Sequence, residues 1–100
     1  MKQMQNKGID FKGQRIYIGI DVHLRSWSVT AMALPYYKVQ STLPPSATAL
    51  RSFLDCRFPR GEYVACYESG FTGFYTYYSL VACGIECHVV NAADVPSTQY

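Results

Sequence analysis

The chain has 100 residues, of which 49% are hydrophobic and only 16% charged. That length builds one core but hardly two, and the apolar fraction with sparse charge excludes an intrinsically disordered chain. A formal net charge of +2 is too small to mark a nucleic-acid binder by itself, because a basic footprint shows as a patch or stripe.

The polar start MKQMQNKGIDFKGQ, residues 1–14, gathers Lys2, Lys7 and Lys12 and reads as a flexible, solvated arm. It lacks the apolar core of a secretory signal, and no apolar run reaches the ~20 residues that span a bilayer. The expectation is a cytoplasmic protein with no membrane partner, in which Cys56, Cys66, Cys83 and Cys87 stay reduced. No internal repeat interrupts residues 15–100, which read as one domain.

RIYIGIDVH, residues 15–23, is rich in Ile and Val and apolar at both alternating sets of positions, which predicts a central strand buried on both faces. A polar break at 24–26 leads into WSVTAMAL, 27–34, a strand able to return antiparallel through a tight turn. YYKVQSTL, 36–43, reads as a third strand, an edge by its mixed polarity and its flanking Pro35 and Pro44. Ser46 is an N-cap candidate, after which Ala47, Leu50, Phe53, Leu54 and Phe58 recur at helical spacing until Pro59 and Gly61 end the helix. EYVACY, 62–67, is a short strand. FTGFYTYYSLVACG, 71–84, then reads as a helix stopped by Gly84 in a left-handed conformation, and IECHVVN, 85–91, supplies the fifth strand.

Strands that alternate with helices lie parallel, and right-handed crossovers place the fourth strand beside the first and the fifth beyond it. The predicted fold is α/β: a five-stranded mixed sheet in the order 3-2-1-4-5, with helices after strands 3 and 4.

Asp21 is the most informative residue, because a carboxylate interrupts a strand that reads as buried, and an unpaired buried charge is costly. That cost disappears at a strand end facing a cleft, and Glu68 stands at the equivalent end of the fourth strand. Parallel neighbours about 4.8 Å apart bring both carboxylates to one edge, where they could bind Mg²⁺ or Mn²⁺ as hard oxygen ligands. Two structural readings stay open beside this one. Asp21 could bond backbone amides of the loop at His23 to Ser26, and Glu68 could sit favourably near the N-terminus of the following helix.

His23 could reach the same cleft or simply be solvated at the strand end. His88 with Cys83 and Cys87 lacks the paired spacing of structural zinc, and alternation sends Cys87 and His88 to opposite faces. Phe71, Phe74, Tyr75 and Tyr78 recur as a core-facing helical stripe, although exposed tyrosines could instead stack on bases; Tyr77 stays open. Gly70 and Gly73 read as a loop-to-helix turn or as a close backbone approach to a phosphate.

YIGIDVH at 17–23, YESGFTGFY at 67–75 and GIECHVVNAADV at 84–95 together resemble the start of the DEDD-type insertion-sequence transposases, whose catalytic domain is similar to the RuvC Holliday-junction resolvase. The resemblance covers residues 15–97. Gly-Ile-Asp-Val is shared with many ribonuclease H-like proteins and with actin-type ATPases; the Glu-Ser-Gly-x-x-Gly element and Val-Val-Asn narrow it. It implies a ribonuclease H-like (RuvC-like) fold, Mg²⁺ or Mn²⁺ held by Asp21 and Glu68 as catalytic and metal ligands, and DNA strand cleavage and exchange during transposition. DNA, a guide or bridge RNA and a homo-oligomeric full-length protein are the implied partners.

The family's other two Asp ligands follow the Val-Asn segment. Asp94 falls before that place, so the ligands and the nucleophile-bearing domain are expected beyond Tyr100. Little nuclease activity is expected from these 100 residues alone. A RuvC-like nuclease of another kind and a non-catalytic assembly module of a recombination complex are the alternatives. His23 and Leu24 stand where the ATPase-type relatives carry Gly and Thr or Ser, which counts against nucleotide binding.

Overall fold

Alternation along the first strand decides which way the sheet faces. In the computed structural model, which describes residues 10–35, 37–68 and 74–90, β1 (Arg15–Val22) buries Ile16, Ile18 and Ile20 and exposes Arg15, Tyr17, Gly19 and Asp21. A turn closed by the His23 N–H donating to the Ser26 carbonyl returns the chain as β2 (Trp27–Ala33), which buries Trp27, Val29, Ala31 and Ala33. After β3 (Tyr37–Leu43) come α1 (Ala47–Arg57), β4 (Glu62–Glu68), α2 (Tyr75–Ala82) and β5 (Glu86–Val90).

The five strands form one sheet in the order β3-β2-β1-β4-β5. Pairing is antiparallel across β1, β2 and β3 and parallel from β1 to β4 to β5. Ile18 stands opposite Ala65, with Tyr17 opposite Val64 and Gly19 opposite Cys66, so the predicted order and the parallel pairing of β1 with β4 both hold.

Burial on both faces does not hold. The core joins one sheet face to Leu50 and Leu54 of α1 and Leu80 of α2, because crossovers of one hand put both helices on the same side. The other face carries Arg15, Ser28, Lys38, Gln40, Glu62, Glu86 and His88 at its exposed positions. Tyr17 and Gly19 tolerate solvent there, so counting them as apolar made β1 look buried on both sides.

Ser46 caps α1 as expected, its hydroxyl accepting from the Ala49 N–H at 3.2 Å. Ala47, Leu50 and Leu54 are buried, and the Phe58 N–H closes the last turn on the Leu54 carbonyl. Phe53 is only half-buried, with the Arg57 guanidinium over its ring. The left-handed residue past the helix is Arg60, at φ 68°, not Gly61. Gly61 is required by crowding instead, since a methyl group there would come within 2.7 Å of Ile16 Cγ1. Gly84, at φ 79°, ends α2 as expected.

The second helix departs from its predicted orientation. Thr76 and Leu80 face the sheet and Tyr77 is half-buried, whereas Phe74, Tyr75 and Tyr78 are 59%, 78% and 67% exposed. Phe71 lies outside the described residues. The rotation goes with a bond between elements: α2 has no side-chain cap of its own, and the buried Tyr67 hydroxyl on β4 accepts from the Tyr77 N–H at 2.9 Å. That bond satisfies one of the orphan donors of the first turn, and the aromatic row faces outward.

Of the stretch expected as a free arm, residues 1–9 lie outside the described residues, and 10–14 are docked. The Phe11 N–H donates to the Pro59 carbonyl, and its ring lies 5.3 Å from Phe58 and 6.1 Å from Tyr37. Asp10 pairs with Arg60 at 3.3 Å.

A polar joint ties the helices to the sheet. Arg51 grips both Asp55 oxygens, at 3.0 and 3.1 Å, and donates to the Cys83 carbonyl at 2.7 Å. The single Tyr63 hydroxyl proton is shared between the Phe58 carbonyl at 2.7 Å and Asp55 Oδ1 at 3.0 Å. Burial, and then the Asp55 carboxylate, push this phenol far above its usual range. Burial also raises the Cys87 thiol to about 11.

A group whose folded pKa is raised stabilises fully below its unfolded pKa and loses that contribution as pH rises through the folded value. For Tyr63 the loss begins near pH ~10. Tyr63→Phe is therefore expected to cost about 1 kcal/mol at neutral pH but to fall less steeply between pH 9 and 11, with Cys87 and Tyr67, both also raised by burial, contributing to the slope that remains. Urea midpoints of both proteins across that range provide the check, and parallel curves would contradict it.

Candidate functional site

Because β1 and β4 are parallel and in register through the pair Ile20 and Tyr67, Asp21 and Glu68 each stand one residue beyond the same rung. Alternation sends both to the open face. They line one shallow concavity of about 570 Å³ with Gly19, Ser28, Thr30, Cys66 and Val90. Ser28 is the cross-strand partner of Asp21 and Val90 that of Glu68. The site lies at the carboxyl ends of the parallel strands, where open α/β sheets place ligands.

Gly19 forms part of the floor. A Cβ built there meets nothing within 4 Å, so this glycine is not demanded by packing; it leaves the backbone bare beside the carboxylates.

Asp21 is not a buried charge. Its side chain is 73% exposed, and Oδ2 lies 3.1 Å from Nε2 of His23, itself 57% exposed. Among the described residues the Asp21 carboxylate therefore meets an imidazole rather than the loop amides of the capping alternative. Glu68 ends β4, and the first turn of α2 contains no acidic residue. The helix-dipole reading of Glu68 turns on residues 69–73, which lie outside the described residues.

His23 is thus solvated at the strand end and meets Asp21, but it does not itself line the concavity. Cys87 is buried and His88 exposed, on opposite faces, and His88 bonds Glu86 at 2.8 Å. No disulfide joins Cys56, Cys66, Cys83 and Cys87 among the described residues. Ser69, Gly70, Gly73 and Asp94 lie outside the described residues.

The donor set is hard: two carboxylates, with the hydroxyls of Ser28 and Thr30 on the same lining. Such oxygens suit Mg²⁺ or Mn²⁺ in kind. Among the described residues no group of three or more His, Cys, Asp or Glu side chains gathers as a metal cage. Asp21 and Glu68 would then hold an ion that takes its other ligands from water or substrate, as Mg²⁺ commonly does.

Sequence reasoning missed Cys66, Ser28 and Thr30 as lining residues. Cys66 was within reach, since stepping back two residues from Glu68 stays on the same face. Ser28 and Thr30 needed the register of β2, which the loop length alone does not fix. Among the described residues no helix is long and apolar enough to cross a membrane.

Comparison with known proteins leaves the reading to the site itself: no family model matches the chain, and no curated protein is significantly similar to it.

Proposed function

We propose that this chain is part of a ribonuclease H-like catalytic domain of the transposase and recombinase kind, acting on DNA phosphodiesters through a divalent ion held by Asp21 and Glu68. The observation that carries the reading is the common placement of these two carboxylates, one rung beyond the last pair of adjacent parallel strands, on one open concavity. The sheet order 3-2-1-4-5 with its antiparallel first three strands supports the same fold. The resemblance of 17–23, 67–75 and 84–95 supplies the reaction class, DNA strand cleavage and exchange. A guide RNA, a homo-oligomer and a cytoplasmic setting rest on the sequence reading alone.

A bound Mg²⁺ would supply positive charge to a phosphodiester and to its attacking and leaving oxygens. The chain's own residues prepare the place. Asp21 is oriented by the His23 imidazole, Glu68 is held at a strand end, and the bare backbone at Gly19 leaves room for a sugar-phosphate strand beside them. Ser28 and Thr30 offer hydroxyl donors to phosphate oxygens.

Paramagnetic Mn²⁺ gives a direct test. Added at substoichiometric levels to ¹⁵N-labelled protein, it is expected to broaden first the amide signals of Gly19 to Val22, Ser28 and Cys66 to Glu68, and not those of α1. Selective broadening around Glu86 and His88 instead would move the ion to another part of the sheet and remove the basis of the proposal.

A further inference from the structure

We propose that the groove between the start of α1 and α2 is a phosphate-binding site, in which a phosphate group is held by the first amides of α1 and by the indole N–H of Trp27. The groove has a volume of about 370 Å³; Trp27 of β2, Pro45 to Thr48, and Tyr75 and Ser79 of α2 are among its lining residues.

Two independent observations point to an anion. The first is an orphaned donor inside the protein. Trp27 is only 4% exposed, and a buried indole N–H ordinarily finds an acceptor. Among the described residues it has none. Trp27 lines the groove, which is where an acceptor can reach it.

The second is the helix end. Ser46 caps only the Ala49 N–H, at 3.2 Å, and the Leu50 N–H returns to the Ser46 carbonyl. The N–H groups of Ala47 and Thr48 are left without a protein acceptor among the described residues, as first-turn donors are when no second cap reaches them. The first turn of α1 also holds no acidic residue to offset the positive end of the helix dipole.

The lining contains no Asp, Glu, Lys or Arg, so its donors set its character. Besides the three N–H groups, Thr48 offers a hydroxyl, and the Ser46 oxygen accepts from Ala49, which leaves its own proton free to give. An apolar segment laid in the groove would bury these N–H groups without acceptors, which is costly. A cation would meet the wrong end of the dipole. The occupant therefore brings oxygens and negative charge, as anions at helix N-termini do. The two oxygens of a carboxylate meet fewer of these donors than the four of a phosphate.

Trp27 faces the helical side of the sheet, whereas its neighbour Ser28 lines the concavity of Asp21 and Glu68 on the open face. The two sites lie back to back on β2, and the phosphate site stands independently of the metal proposal. A phosphate monoester and a nucleic-acid backbone phosphodiester share the chemistry that the groove recognises.

Because Trp27 is the only tryptophan, its indole N–H gives one isolated signal in the ¹H–¹⁵N spectrum of the 100-residue chain. Inorganic phosphate, titrated at constant ionic strength, is expected to move that signal together with the amides of Ala47 and Thr48. All three should follow one saturation curve with a dissociation constant on the order of 1–10 mM. Acetate should bind more weakly. Thr48→Asp places a carboxylate at an exposed first-turn position, where the dipole favours the fold, and should weaken phosphate at least tenfold by like-charge repulsion. The neutral Thr48→Asn should stay within about twofold of the parent. Thymidine monophosphate and a thymidine dinucleotide distinguish the sources: a response to the first alone assigns a terminal phosphate, and a response to both assigns a backbone phosphodiester as well. An indole signal that phosphate leaves in place, one that moves as far with chloride or acetate, or a response that Thr48→Asp leaves intact overturns the proposal.

Discussion

Phe58→Ala is expected to destabilise the domain by about 3–5 kcal/mol, the range for removing a fully buried aromatic ring. Phe58 is 0% exposed and fills the corner where α1 turns toward β4. Its ring meets Phe11 and Tyr37, each at 5.3 Å, so it joins the docked residues 10–14, the edge strand β3 and the helix end. The truncation keeps the backbone bonds that its N–H and carbonyl make with Leu54, Gly61 and Tyr63, which assigns the loss to packing. A domain of this size has only about 5–15 kcal/mol in all, so the variant should be partly unfolded near body temperature. Phe53→Ala is the comparison: that ring is half-buried under Arg57, and its loss should be well under half as large. Urea titration of the three proteins decides the matter. Equal losses at the two positions would mean that the corner is not the joint described here.

How much of this was legible in the sequence follows from which interactions are local. The strand order was legible because β1 to β3 are joined by short connections and β4 and β5 alternate with helices, and crossover handedness leaves few arrangements. Ser46 and Gly84 were legible because capping and left-handed stops depend on one or two residues. The rotation of α2 was not. It goes with a hydrogen bond from the Tyr77 N–H to Tyr67, ten residues earlier and on another element, and aromatic residues spaced every three or four positions fit an outward ridge as well as an inward one.

The candidate site divides the same way. Asp21 and Glu68 could be paired from the sequence because parallel neighbours share a carboxyl edge. Their surroundings could not be, since the solvent-facing side of β1 is recognisable only once both helices are known to lie on the other face. Asp21 was singled out as a charge that burial would make costly; it proves to be 73% exposed. The inference to a cleft survives on the register with Glu68, whereas the energetic premise does not.

That register makes a demand on stability in the presence of metal. Two like charges set side by side on adjacent strands disfavour the folded chain, and a divalent ion that binds them binds the folded chain alone. Mn²⁺ at about ten times its dissociation constant should then stabilise the parent by about 1.4 kcal/mol, which for a domain of this length raises Tm by roughly 6–11 °C. Asp21→Asn and Glu68→Gln each remove a ligand together with the repulsion. Both variants should be at least as stable as the parent without metal and indifferent to Mn²⁺. The His23 imidazole at Asp21 Oδ2 supplies an internal comparison: His23→Gln keeps both carboxylates and should retain a Mn²⁺-induced rise. Thermal melts of the four proteins in a chelator and in millimolar-scale Mn²⁺ read all of these outcomes together. An equal rise in parent and Asp21→Asn would place the ion elsewhere, and Asp21 would then be a solvated strand-end carboxylate paired only with His23.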